Sequence, residues 1–188
     1  MTAPYQDILD FWFFPEDHEN HGSKRPEWFQ KNDDFDQEIR RRFLDNFEQA
    51  EQGHLLAWTD EAKGCMALLL LFDQFTRNMF RNNPRSFSAD AKARAIARHM
   101  LEKGFFERLP SIMKKFAALP FEHSENLDDQ KISMKLFQEF GDEDDILYAQ
   151  RHFDIIERFG RFPHRNEVLK RPSTEEELAF LKQPNSSF

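Results

Sequence analysis

Residues 59–80 read Thr-Asp-Glu-Ala-Lys-Gly-Cys-Met-Ala-Leu-Leu-Leu-Leu-Phe-Asp-Gln-Phe-Thr-Arg-Asn-Met-Phe. Thr59-Asp60-Glu61 offers a helix N-cap with an acidic first turn, and Asn82-Asn83-Pro84 offers a stop, so the spacing predicts one helix from Thr59 to about Phe80. From Cys65 to Phe72 it is apolar nearly all round, which marks a helix surrounded by others. Asp73, Gln74, Arg77, Asn78 and Arg81 follow without a break, with 73, 77 and 81 on one face and 74 and 78 beside it. Asp73 to Arg77 is a favourable i,i+4 pair worth about 0.2–0.5 kcal/mol when exposed, and Arg77 to Arg81 costs about as much. Arginines in a last turn also complement the helix dipole, a sufficient reason for Arg81. Gln74, Arg77 and Asn78 continue directly from an apolar core, and there a functional cleft is the favoured reading.

The rest of the chain is helical in pattern too. Phe35, Ile39, Phe43 and Phe47 form one apolar stripe at spacing four. Ser88 is placed to cap a helix from Ala89 to Lys103 stopped by Gly104, whose alanines at 91, 93, 95 and 97 admit a close neighbour. Further helices are expected from Asn126 to Phe140, from Asp144 to Phe159, and from the Ser173–Glu177 segment to about Lys182. Pro120 marks a turn between helices, with Ser124 or Asn126 as the next cap. The polar stretch from His18 to Pro26 reads as a surface loop, its histidines solvated. Strand-like alternation is nearly absent and connections are short. The expectation is therefore all-α: one domain over residues 1–188, built of antiparallel helical hairpins.

At 188 residues the chain has room for one well-buried core. A formal charge of −8 argues against nucleic acid as a partner, since that needs a broad basic face. Phe, at 22 residues, is the chief core filler, as it brings large area with no polar atom to satisfy. The single Cys65 excludes an intrachain disulfide and four-cysteine zinc, and within its apolar run it reads as an inert small hydrophobe. His99, His123, His152 and His164 are scattered, none at His-Glu-x-x-His spacing, so no metal site and no cofactor is expected. Residues 1–7 lack a basic region and a signal core, and the apolar run is too short for a membrane span. A soluble cytoplasmic protein with no membrane partner is the expectation, its oligomeric state unassigned.

Two further clusters carry possible chemistry. In Pro120-Phe-Glu-His-Ser-Glu125, His123 lies between carboxylates that favour its charged form, making it a candidate general acid or charged anchor steered by Glu125. Ser124 is adjacent to His123 and cannot form a triad with it, and no Gly-x-Ser-x-Gly turn exists, so a serine hydrolase is not the expectation. In Arg158-Phe-Gly-Arg-Phe-Pro-His-Arg-Asn166, three arginines and a histidine crowd a bend. One arginine suffices to cap the preceding helix. The others, Arg161 and Arg165, with His164 and Asn166, suit a small carboxylate or phosphate recognised by the planar guanidinium fork. His152 faces the same space.

Together with Phe11-Trp-Phe13, Trp28-Phe29, Asp73-Gln-Phe-x-Arg-Asn-x-Phe-Arg81 and Arg171-Pro-Ser-Thr-Glu-Glu-Glu177, these motifs resemble domain-of-unknown-function family 924, a bacterial family, over about residues 7–182. The resemblance implies stacked helical hairpins of tetratricopeptide-repeat-like kind and implies no activity. Relatives often carry proline where this chain has Thr76; a proline would bend the helix before Arg77.

Three functions compete. The first is a pocket for a small anionic molecule, with Gln74, Arg77, Asn78, Arg81, Arg161, His164, Arg165 and Asn166 as binders, Trp12 or Trp28 as a stacking wall, and acid–base hydrolase or transferase chemistry at His123 and Glu125. The second is a helical-repeat scaffold that clamps an acidic peptide. In the third, the clusters are an internal ion-pair network.

Overall fold

The computed structural model describes residues 3–187, and all regular structure among them is helical. Contacts cluster in two compact units, one comprising the chain up to Arg81 with Arg85–Pro120, the other Asn82–Pro84 with the chain from Phe121 onward. No helix among the described residues is long and apolar enough to cross a membrane.

In the first unit, α1 (Gln6–Phe13) and α2 (Asp33–Glu51) precede a continuous helical rod made of α3 (Ala62–Leu69), a π-helical segment (Leu70–Phe75) and α4 (Thr76–Met79). Asn32 caps α2 by accepting the N–H of Phe35. The stripe Phe35, Ile39, Phe43 and Phe47 is buried, and α2 lies against the π segment and α4. On its other sides the rod meets α1 and α5 (Asp90–Glu102). The rod is central, as its apolar middle requires.

Three local expectations are corrected. Thr59 does not cap the rod: it belongs to a 3-10 turn at Leu56–Asp60, where its hydroxyl bonds the Leu56 carbonyl, and the helix starts after Glu61. Ser88 does not cap α5, because its hydroxyl bonds the Arg85 carbonyl instead and Ala89 stands at the cap. Of the four alanines on α5, only Ala93 and Ala97 are buried, the pair one helical turn apart that faces α3.

The π segment bears on how Arg77 is aimed. Its wider turn ends at Thr76, which is fully buried and whose hydroxyl lies 2.9 Å from the Phe72 carbonyl and 3.2 Å from that of Asp73. A hydroxyl bonded back to the i−4 carbonyl bends a helix. Threonine, unlike proline, keeps its backbone N–H for the helix and adds these hydroxyl bonds to the preceding turn.

α6 (Ser111–Glu122) carries Pro120 inside it, where a turn was expected. Proline removes one helical hydrogen bond and presses on the carbonyl of residue 116, and the helix lasts two residues more. The second unit takes up the chain at Phe121, in the last turn of α6, and contains α7 (Leu127–Phe140), capped by Asn126, and α8 (Glu143–Phe159), opened by a reciprocal Asp142–Asp145 capping box. These two pack as a hairpin. α8 ends at Gly160, whose φ of 68° is left-handed and suits a residue without Cβ. A bend with a short 3-10 turn at Pro163–Arg165 leads to α9 (Glu175–Phe180). Ile155, Ile156 and Phe162 form the core here, with Phe159 and Phe180 packed on it.

Candidate functional site

The first unit holds Gln74, Arg77, Asn78 and Arg81, and each is engaged there by an acid. Gln74 donates to Asp73 at 2.5 Å. Arg77 donates to the Asp73 carbonyl at 2.6 Å and lies 3.1 Å from the Asp73 carboxylate and 3.2 Å from that of Asp90. Burial pushes its pKa down, but those two carboxylates more than offset this and hold it above the usual arginine value. Asn78 and Arg81 both donate to Asp36 in the first turn of α2. These residues tie α4 to α2 and α5.

Trp12 is buried, stacked on Trp28 at 5.8 Å and edge-on to Phe116 at 5.5 Å, so it is core rather than a ligand wall. Burial pushes the Cys65 thiol up to about 11, which leaves it protonated and inert. His21 is not merely solvated: its Nδ1 donates to the Phe14 carbonyl at 2.7 Å.

In the second unit the bend is braced by its own polar groups. Arg161 makes a two-pronged bond to Glu177, at 2.6 and 2.8 Å, and a third to the Pro172 carbonyl. Glu177 also closes the α9 capping box with Thr174. The Arg161 bond outweighs the cost of burial and, with the Thr174 N–H and the Asn166 amide, brings the Glu177 carboxyl from 4.5 down to about 2. Asn166, 1% exposed, donates to Ser173 and accepts from Arg171. Arg158 pairs with Glu176.

Glu125, expected to steer His123, is engaged by the neighbouring bend. It takes both prongs of Arg171, at 2.7 and 2.9 Å, and the Phe162 N–H at 2.8 Å. Burial raises its carboxyl, but these donors and the charge of Arg165 outweigh it and hold the group below the ordinary value.

One consequence concerns acid. Glu177 is ionised more readily in the folded chain than in the unfolded one, so its contribution is complete above about pH 4.5 and disappears as pH falls toward 2. Glu177→Gln is expected to lower stability at pH 7, and the gap to the unmodified protein should shrink to roughly a quarter of that size by pH 2.5. Urea denaturation at pH 7, 4.5 and 2.5 measures it; a gap independent of pH would contradict the assignment.

A different group gathers around Phe162, whose ring is fully buried. Arg165 lies over it at 4.4 Å, and the rings of His152 and His164 each stand 5.6 Å away. The His123 ring is 6.1 Å from His152. Burial, together with the positive charge of Arg165 and neighbouring imidazoles, lowers His152 to about 3 and His164 to about 4. At neutral pH both are uncharged. Glu122 completes the group, its Oε1 3.5 Å from His152 Nδ1. Of the expected site residues, then, the structure brings together His123, His164 and Arg165 and assigns Arg161, Asn166 and Glu125 to bracing. From sequence Glu122 figures only as a carboxylate beside His123 and Arg171 only within a motif; their contacts here are with residues distant along the chain.

The model of a family described as bacterial protein of unknown function matches residues 8–185. A solved structure of a protein of unknown function from Agrobacterium tumefaciens is similar, with 35% identity, a TM-score of 0.87, and coverage of 95% of this chain and 96% of that one. No curated protein matches.

Proposed function

As the chain belongs to DUF924, a family of bacterial proteins of unknown function, we propose its role from geometry: the second unit binds a small carboxylate- or phosphate-bearing molecule through His164 and Arg165, with His123 beside them. We place this activity in the cytoplasm and read the α7–α8 hairpin as the tetratricopeptide-repeat-like element.

The supporting observation is the arrangement around Phe162. Arg165, 6% exposed, is laid across the ring with His152 and His164 alongside. A guanidinium fixed by stacking loses little freedom on gripping a planar anion, and the uncharged imidazole of His164 can donate a hydrogen bond beside it. Arg161, Arg77 and Arg81 leave the binding set, because carboxylates fill their forks. For those three the reading as an internal ion-pair network is the better one.

The test is thermal unfolding with inorganic phosphate and with succinate. Saturation about a hundredfold above Kd is expected to raise Tm by about 5 °C or more. Arg161→Gln should keep the rise, while Arg165→Met and His164→Gln lose it. No rise with either anion, or a rise untouched in Arg165→Met, overturns the reading.

A further inference from the structure

We infer that Glu122, His123 and His152 form a binding site for one first-row divalent transition metal ion. A carboxylate oxygen and two imidazole nitrogens, one atom from each residue, all lie within 4.8 Å of one another. Donors around a tetrahedral ion at bond lengths near 2.1 Å sit about 3.4 Å apart. Small side-chain rotations therefore close the site, with no need for the backbone to move.

The backbone is held where such a site needs it. Gln130, fully buried on α7, donates its amide to the carbonyls of Glu122 at 2.6 Å and Ser124 at 2.7 Å. That clasp straddles His123 and fixes the end of α6. Asp129 accepts from the Ser124 hydroxyl at 2.7 Å and adds a second anchor from α7. The third ligand comes from the middle of α8, which the α7–α8 hairpin positions. The two ligand-bearing segments are thus each fixed to α7.

His152 also has the outer support that metal-bound histidines use. Its Nδ1 lies 2.8 Å from the Tyr148 carbonyl. A carbonyl oxygen can only accept, so Nδ1, which also lies 3.5 Å from the Glu122 carboxylate, carries the proton, and the ring must turn slightly to bring the lone pair of Nε2 toward Glu122. Ligating histidines commonly give their second N–H to a carbonyl or carboxylate in this way, which sets the tautomer and the ring direction.

The donor set names the ion class. Two imidazoles and a carboxylate suit Zn²⁺, Fe²⁺ or Co²⁺, whereas Mg²⁺ and Ca²⁺ want oxygen donors throughout. Three protein ligands leave a coordination position open, the arrangement of reactive rather than structural sites. Glu122 and His152 are buried and His123 is half-buried, so His123 is the ligand nearest solvent. The metal site stands on its own ligands and does not depend on the anion reading, although the two share the neighbourhood of His123.

The experiment uses the full chain without an affinity tag, stripped with chelator and titrated with Co²⁺ and Zn²⁺. One equivalent of Co²⁺ should bind and give the visible bands of a four- or five-coordinate ion. Zn²⁺ should compete with it, and Mg²⁺ at the same concentration should not. His123→Ala and Glu122→Gln should each weaken binding by at least about tenfold. Arg165→Met should bind the metal within about threefold of the unmodified protein even where it has lost its response to phosphate, which separates the two proposals. Imidazole NMR of the unmodified protein needs no variant at all. Of the seven histidines, His123 and His152 should shift their ring nitrogens with Zn²⁺ and the others should not. Absence of stoichiometric uptake, uptake unchanged in His123→Ala, or shifts confined to His18 and His21 would overturn the site.

Discussion

Gly64→Ala is expected to destabilise the protein by about 2–3 kcal/mol and lower its Tm by roughly 6–10 °C. In an open helix the same change stabilises by up to about 1 kcal/mol, because alanine is the better helix former. Here the sign reverses. A Cβ at position 64 would stand 2.2 Å from the Trp58 carbonyl oxygen and 2.9 Å from its carbon, both backbone atoms. The turn that carries them has little freedom to retreat. The next carbonyl, of Thr59, accepts from the Cys65 thiol and lies 3.0 Å from His99 Nε2. The Trp58 ring stands edge-on to Tyr5 at 5.7 Å, and the Tyr5 hydroxyl is bonded to Glu61. To make room, either the turn or the central helix must shift, and both serve the same core. Differential scanning calorimetry with urea denaturation measures the loss. A Tm within about 2 °C of the unmodified protein would show that the turn yields freely.

Gly64 also illustrates which features can be read from the chain alone. The stripe from Phe35 to Phe47 is legible because its burial repeats with the helical period, and the run from Cys65 to Phe72 because it is apolar on every side; every one of these residues is buried. The Asn126 cap and the Gly160 stop are legible because each answers a local need of the backbone. The reason for Gly64 is not local. It lies in a carbonyl approaching from another turn, and the sequence shows only a glycine placed in a helix at some cost. Pro120 misleads for a related reason: near a helix end, the bond it removes can be spared.

The polar residues follow the same division. Sequence singles out the arginines, but their acids lie far along the chain: Asp36 is 45 residues from Arg81, and Glu125 is 46 from Arg171. A cluster of like charges is therefore visible in sequence while its neutralisation is not. Arg161, central to the expected pocket, becomes a clamp once Glu177 is seen to face it. His123 and Arg165 retain a functional reading for a complementary reason, since the structure places them among imidazoles around Phe162.

Glu125 is where a catalytic and a structural role predict opposite results. A carboxylate that tunes a catalytic histidine can be removed with loss of rate and little loss of stability. A carboxylate that holds Arg171 and the Phe162 N–H cannot, because its removal leaves a partly buried guanidinium and a backbone donor without their acceptor. Fully buried pairs lose about 3–5 kcal/mol when one partner is deleted; this pair keeps roughly a quarter of each side chain exposed, so about 2–3 kcal/mol is expected for Glu125→Ala. Arg171→Met should cost less, since the remaining carboxylate keeps the Phe162 N–H and can reach water. The double variant separates the pair from its surroundings. If Glu125 and Arg171 act as one latch, the double variant should be more stable than the sum of the single losses implies by about 1–2 kcal/mol. Urea denaturation of the four proteins gives that number, and additivity within about 0.5 kcal/mol would refute the latch. The latch also determines whether the imidazole group keeps its shape. Phe162 is fixed from both sides, its N–H on Glu125 and its carbonyl on Arg171, and its ring is the surface on which Arg165, His152 and His164 are arranged. Loosening that residue should therefore weaken binding at the group arranged on its ring, so the stability loss in Glu125→Ala should be accompanied by a weaker phosphate response.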